Sequence, residues 1–416
     1  MQARRPGRRC NPALRTGLSH GACFQFRRFA LVHFAMQIAA LSDLADASLC
    51  PCLVIKVGSS LLVGAESIRR DWLAGLVAEI AAARARGQQI VVVSSGAIAL
   101  GAARLGLEKG GRGSLADAQA AASVGQIALS GLWAQLLGDH RLTAAQLLLT
   151  LDDLEARRRY LNVSATLGRL LDAGAVPVIN ENDSVATAEI RFGDNDRLAA
   201  RTAQAAQASA VLLLSDVDGL FDRNPAEPGA SLVREVRGVT PAVEAMATGE
   251  SASGMGSGGM SSKLQAARIA ETAGIALAII NGTHDRPIAR ALESGTGTIF
   301  VPRVGRGQGR ARARKAWLGG RLQLKGGLVV DAGAVEALRS GNSLLAKGVT
   351  AVEGRFARGD AVAITGPDGA VIAHGLSEYD AVECQNLVGT HSSDQASILG
   401  YAPRSAAVHR NQMVLI

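Results

Sequence analysis

Six short apolar runs, separated by longer segments of helical character, constrain this chain more than any other feature of its sequence. The runs are Leu53–Val57, Ile90–Val93, Ala145–Leu149, Val176–Ile179, Val211–Leu214 and Ile275–Ile280. Each has the length of a strand and is apolar on both faces, as strands buried between two layers are. Between them lie Ile68–Arg86, Ala116–Leu137, Tyr160–Asp172 and Ser262–Ala273, rich in Ala, Leu and Arg at helical spacing. Strand and helix in alternation predict an α/β fold, a mostly parallel sheet sandwiched by helices. Ligands of such sheets sit beyond the carboxyl ends of the strands, so the residues that follow each run carry the functional reading.

With 416 residues, 48% of them hydrophobic and 19% charged, the chain can build one large core and a second, smaller one. No apolar run approaches the roughly 20 residues of a membrane span, so a cytoplasmic protein without membrane contact is expected. The formal net charge of +8 invites a nucleic-acid reading, but its distribution argues against one. Residues 1–42 hold seven arginines and no acid, and residues 303–325 hold eight basic residues and no acid. The excess belongs to these two stretches, and the body between and beyond them is mildly acidic. Of five cysteines, Cys50 and Cys52 stand as C-x-C, which is neither a zinc nor a thiol-redox spacing, so reduced thiols are expected. Residues 1–50 read as an extension, either a transit peptide or leader sequence ahead of a later start at Met36. A Gly/Arg-rich stretch at 303–316 reads as a basic linker between a main domain at 51–302 and a small, mainly β domain at 317–405.

Chemistry is concentrated at the strand ends. The first run carries Lys56 inside an apolar strand, costly to bury without a partner, and Gly58-Ser59-Ser60 follows it with backbone N–H groups able to face an anion. The second ends Ser94-Ser95-Gly96, where small residues let a ligand approach a helix start or where a serine simply caps the helix. The fourth leads into Asn180-Glu181-Asn182-Asp183-Ser184 and then Gly193-Asp194-Asn195-Asp196. Amides and carboxylates in this density can hold an α-amino acid or a metal-bound phosphate; a polar surface loop is the plainer alternative. The fifth ends Ser215-Asp216. Ser257-Gly258-Gly259-Met260-Ser261-Ser262-Lys263 opens a helix, an electropositive cradle suited to a polyphosphate. Gly254–Gly259 matches G-x-G-x-x-G only formally, since neither a strand nor the expected acidic residue flanks it, and no Gly-Lys pair exists to make a Walker A loop.

Taken in order, Val54–Ser60, Val93–Ala99, Pro177–Ile190, Gly193–Asp196 and Ser257–Lys263 resemble the amino-acid kinase family, most closely the branch that acts on glutamate. Val329–Ala334, Ser343–Val349 and Gly354–Asp360 resemble a PUA domain. The resemblance implies ATP with Mg2+ as the phosphoryl donor, L-glutamate as acceptor, proline as a feedback inhibitor, a homo-oligomer, and RNA binding as a capacity of some PUA domains. It implies Lys56, Lys263 and Asp196 as catalytic residues. Lys56, Ser215, Asp216 and the segment Ser257, Gly258, Gly259, Met260, Ser261, Ser262 and Lys263 would hold ATP. Ser95, Asp183 and Asn195 would hold glutamate; Asp194 and Asp196 are carried over as well, Asp196 to help organise the lysines and Mg2+. No protein metal ligand is implied. Ser215 and Ser257 stand where the family often has threonine, which keeps the hydroxyl. A glutamate side chain, with pKa near 4.3, is already ionised at neutral pH, so its attack on phosphorus needs no general base. Rival readings are a kinase of the same fold acting on aspartate, acetylglutamate or a nucleoside monophosphate, and an RNA-binding protein.

Overall fold

The structure, a computed structural model, describes residues 38–63, 68–185, 194–247, 259–303, 324–404 and 406–416. All six expected runs are strands: β1 (Cys52–Val57), β2 (Gln89–Ser94), β3 (Ala144–Leu149), β4 (Val176–Glu181), β5 (Ala210–Ser215) and, after a short β6 (Glu235–Arg237), β7 (Ala276–Asn281). With β8 (Thr298–Val301) they form one eight-stranded sheet in the order β3-β4-β2-β1-β5-β7-β8-β6. Every pair from β3 to β7 is parallel, and β8 turns antiparallel against β7. The helices are α1 (Ser59–Leu62), α2 (Arg70–Ala85), α3 (Ala97–Leu105), α4 (Leu115–Asp139), α5 (Leu151–Glu155), α6 (Arg157–Asp172), α7 (Asp194–Ala205), α8 (Pro241–Ala245), α9 (Met260–Thr272) and α10 (Pro287–Ser294).

Alternation along β1 assigns the two faces. Leu53, Ile55 and Val57 join the core built with α2, α4 and α10, whereas Cys52 and Val54 join the core built with α6, α7 and α9. Lys56 shares the second parity and so rises on the α7/α9 side. The four expected helices appear as α2, α4, α6 and α9. Helix α4, at 25 residues, is long and apolar enough to cross a membrane by length and composition. No unbroken apolar run of that length lies in it, since Asp117, Gln119, Ser123, Gln126 and Ser130 interrupt its apolar residues. Its Leu129, Trp133 and Leu137 are buried in the core, and the Trp133 indole N–H donates to the Ser94 hydroxyl at 2.9 Å.

Helices α3 and α4 meet backbone to backbone. A Cβ placed on Gly101 would lie 1.7 Å from the Ala121 carbonyl oxygen, and one on Gly125 would lie 1.8 Å from that of Ala97. Only glycine permits this approach.

Two boundaries differ from the sequence reading. Residues 38–50 were expected in the extension, yet Ile38, Leu41 and Leu44 are buried in the main core. The fully buried Gln88 amide donates to the carbonyls of Leu44 and Cys50, both at 2.8 Å, which fixes this segment beside β2. Residues 1–37, including Met36, lie outside the described residues, as do residues 304–316 of the expected linker and 317–323 after it. The second domain holds β9 (Gly326–Val330), α11 (Ala332–Arg339), β10 (Val349–Gly354), β11 (Ala361–Thr365), β12 (Val371–Leu376), α12 (Ala381–Asn386), α13 (Gln395–Leu399) and β13 (Met413–Leu415). Its sheet order is β10-β9-β11-β12-β13, so the closing strand lies past the expected limit at 405. Its core gathers Leu328, Val330, Leu338, Ile364 and Tyr379. Ala361 and Leu376 also meet Leu161 of α6, joining β11 and β12 to the main domain.

Candidate active site

The carboxyl end of β1, the start of α7 and the first turn of α9 converge on one carboxylate. Asp196 is fully buried; the Lys56 ammonium lies 2.5 Å from its Oδ1 and the Lys263 ammonium 3.4 Å from its Oδ2. The Ser262 hydroxyl also donates to Oδ2 at 3.4 Å. Burial alone would push the Asp196 carboxyl up. The charges of Lys56 and Lys263, with their hydrogen bonds, outweigh it and hold the carboxyl below its ordinary value. The lysine that looked costly to bury thus has its partner, supplied far along the chain. Two positive charges around one negative leave a net positive site in a region largely closed to water, where Coulomb attraction for an anion is strong.

The surrounding backbone suits an anion. Gly58 passes the Lys56 ammonium so closely that a Cβ on it would lie 3.9 Å from Nζ. Gly259 caps α9 without a side-chain hydrogen bond, so the N–H groups of Met260 and Ser261 face the same end of the helix as Lys263, while that of Ser262 donates to the Gly259 carbonyl at 3.0 Å. At the end of β5, the neighbour of β1, the Ser215 hydroxyl donates to Asp216 Oδ1 at 3.1 Å. Ser257, Gly258 and the Asp194 side chain lie outside the described residues.

The residues expected to bind the acceptor fall into two groups. Asn195 donates its amide to the Ser95 hydroxyl at 2.7 Å, while its buried Oδ1 has no hydrogen-bond partner among the described residues. Ser95 sits just before Gly96, which takes φ +113° as the cap of α3. Asp183 instead lines a cavity of about 390 Å³ between α4 and the ends of β3 and β4, with Gln126, Gln146, Glu181 and Asn182. Burial raises the Asp183 carboxyl to about 6, against the opposing charge of Arg112. Asn180, 3% exposed, donates to Gln126 at 2.8 Å, and its Oδ1 is likewise unpartnered among the described residues. Unpaired buried acceptors are costly, and a ligand's ammonium would satisfy them.

Gln126, Gln146 and Arg112 were not singled out in the sequence. Gln146 could have been: it is the one polar residue in Ala144–Leu149, the signal that drew notice to Lys56. Gln126 and Arg112 have no such mark, lying in a long helix and a glycine-rich turn. Among the described residues no group of three or more His, Cys, Asp or Glu could hold a metal ion. Both oxygens of Asp196 already face cations, so its role toward Mg2+ would be through the lysines rather than as an open ligand.

Comparison with known proteins agrees with this geometry. The model of the amino acid kinase family matches residues 51–281, and that of the PUA domain matches residues 326–399. The chain is 67% identical over 382 residues to a glutamate 5-kinase of Novosphingobium aromaticivorans, covering 92% of this chain and all of that one. It is 61% identical to the glutamate 5-kinase of Sphingopyxis alaskensis, covering 88% of this chain and 98% of that one. It is 57% identical to that of Zymomonas mobilis, covering 88% and 92%. With a lysine pair locked on a buried aspartate at the strand ends, and with likeness of this extent, the chain belongs to the amino acid kinase family.

Proposed function

We propose that this kinase transfers the γ-phosphoryl group of ATP to the side-chain carboxylate of L-glutamate, giving L-glutamyl 5-phosphate, the first step of proline biosynthesis. The observation that carries the proposal is the Lys56–Asp196–Lys263 arrangement. Its two ammonium groups are aimed by one carboxylate and backed by the Met260 and Ser261 N–H groups at the α9 start, a site for the triphosphate. Mg2+, bound to phosphate oxygens, would add further charge neutralisation. Ser215, Asp216 and the segment 257–263 are assigned to the nucleotide.

The acceptor arrives as an anion, so the chemical problem is electrostatic. Two negative groups must be brought in line, and the charge spreading over the equatorial oxygens must be neutralised. Lys56 and Lys263 do both in this proposal, and Asp196 keeps their positions fixed before substrate binds. Ser95, Asn195 and Asp183 are assigned to glutamate, Asp183 facing its ammonium. The relatives named glutamate 5-kinase support glutamate over aspartate or acetylglutamate. Feedback inhibition by proline, action in the cytoplasm and assembly as a homo-oligomer are part of the same proposal.

The test is ATP-dependent hydroxamate formation, since an acyl phosphate reacts with hydroxylamine. Glutamate should support it, proline should suppress it, and aspartate and acetylglutamate should not replace glutamate. Equal turnover of aspartate would overturn the assignment of substrate.

A further inference from the structure

Where the second domain meets the main one, positive charge is gathered without enough acceptors. Arg358, on the turn before β11, has a side chain only 11% exposed, and its sole ion pair among the described residues is with Glu378 at 3.5 Å. Arg404 approaches the same Glu378 oxygen only to 4.0 Å. Neither contact has hydrogen-bond geometry: Arg358 Nε and Nη2 and Arg404 Nε are buried with no hydrogen-bond partner among the described residues. Such donors are costly to leave unpaired, and one carboxylate cannot satisfy two guanidinium forks.

A third arginine adds to the imbalance. The Gly359 backbone lies against the first turn of α6, where a Cβ on it would be 3.1 Å from the Arg158 Cα. The Arg358 guanidinium is disfavoured first by burial and then by the Arg404 charge; Glu378 works against both, and Arg158 adds a smaller like charge. Arg157, Arg158 and Arg159 open α6, at the helix end where the macrodipole favours negative charge, and Ala156 offers no side-chain cap. The group is also rigidly built. Tyr379, 1% exposed, accepts from the Arg404 backbone N–H at 2.6 Å and donates to its carbonyl at 3.3 Å. Gly359 N–H donates to the Ser377 carbonyl at 2.8 Å.

We propose that this junction binds a small tetrahedral oxyanion, with phosphate the probe of choice, between Arg358 and Arg404 of the second domain and Arg158 at the first turn of α6. Four oxygens supply the acceptors that Glu378 lacks, and a divalent anion offsets the surplus of three guanidinium groups over one carboxylate. Burial of Arg358 selects a small anion over a nucleic-acid strand, whose backbone would reach only Arg158 and Arg404. The bound anion ties the second domain to α6.

The test is calorimetric titration of the full-length protein with inorganic phosphate, against chloride at matched ionic strength, with hydrogen exchange at residues 156–160 and 357–360. Wild type should bind saturably with exchange slowed at both segments. R404Q should weaken binding by about tenfold or more, the loss expected for one charge-assisted partner. R158Q, on an exposed helix turn, should do likewise and guards against a folding defect in R404Q. K56Q should leave phosphate-induced protection at the junction unchanged, which separates it from the nucleotide site. Absence of saturable binding, equal binding by R404Q and R158Q, or loss of the protection in K56Q would each overturn the proposal. So would binding of single-stranded RNA that R404Q abolishes while phosphate has no effect.

Discussion

Asn195 hands its side-chain amide to the Ser95 hydroxyl at 2.7 Å, and the very next residue, Asp196, holds both lysines. One turn of α7 therefore serves the expected acceptor side and the phosphate side together. In the proposed function, the relative position of the two reacting groups would be set by two consecutive residues on a single helix.

Replacing either lysine should remove a charge that acts in the transition state. K263A and K56A are each expected to lower kcat by about 10²–10³-fold or more, as loss of one preorganised donor does. Circular dichroism should show a folded protein. Near-normal turnover in either variant would remove that lysine from the mechanism.

Asp196 has a structural cost attached to its removal. D196A leaves two buried ammonium groups without their counter-charge, a change that typically costs about 3–5 kcal/mol. A drop in denaturant midpoint is expected together with loss of activity. The group's lowered value puts its stabilising effect above the unfolded pKa, to be lost as pH falls through the folded one, so only strongly acid solution should erase the difference.

Asp183 should make glutamate recognition depend on pH. Its carboxyl is raised to about 6, so it is charged above that pH and neutral below. KM for glutamate is expected to rise several-fold as pH falls from 7.5 to 5.5, with kcat much less affected, and D183N should flatten this profile. Because the folded value exceeds the unfolded one, ionisation opposes folding as pH rises through 3.8 to 6. D183N should therefore gain stability relative to wild type at pH 7.5 compared with pH 4. A wild-type KM that is constant over this range would detach Asp183 from the substrate ammonium.

The contact of α3 with α4 gives a third kind of test. G101A places a methyl group on the Ala121 carbonyl, and overpacking of this sort typically costs about 1–3 kcal/mol. A lowered Tm with reduced activity is expected, since α3 follows directly from Ser95 and Gly96. An unchanged Tm would show that the helices separate freely.

How far the sequence could be read follows from where each element buries its side chains. The parallel strands β1, β2, β4, β5 and β7 are covered on both faces and show as apolar runs, interrupted in β1 by Lys56. β6 and β8 escaped notice because Glu235 and Arg237 flank a single buried Val236, and because β8 is only four residues long. Ile38, Leu41 and Leu44 were hidden beside an arginine-rich stretch whose charge dominated the reading. Lys56 and Lys263 stood out by type and position and Asp196 through the family resemblance; the contacts that join the three are given only by the fold. Gln126 and the Arg358–Glu378–Arg404 group become visible only when distant segments are folded together, since no local pattern marks them.

Ribosomal synthesis delivers Lys56 first, Asp196 much later and Lys263 last. A nascent chain halted before its ninth helix holds a carboxylate with one counter-ion instead of two, and lacks the N–H groups of that helix. Such fragments hold the neighbouring strands β3-β4-β2-β1-β5 without the paired lysines. On the proposed assignment of those lysines to the triphosphate, nucleotide turnover would wait for the finished molecule.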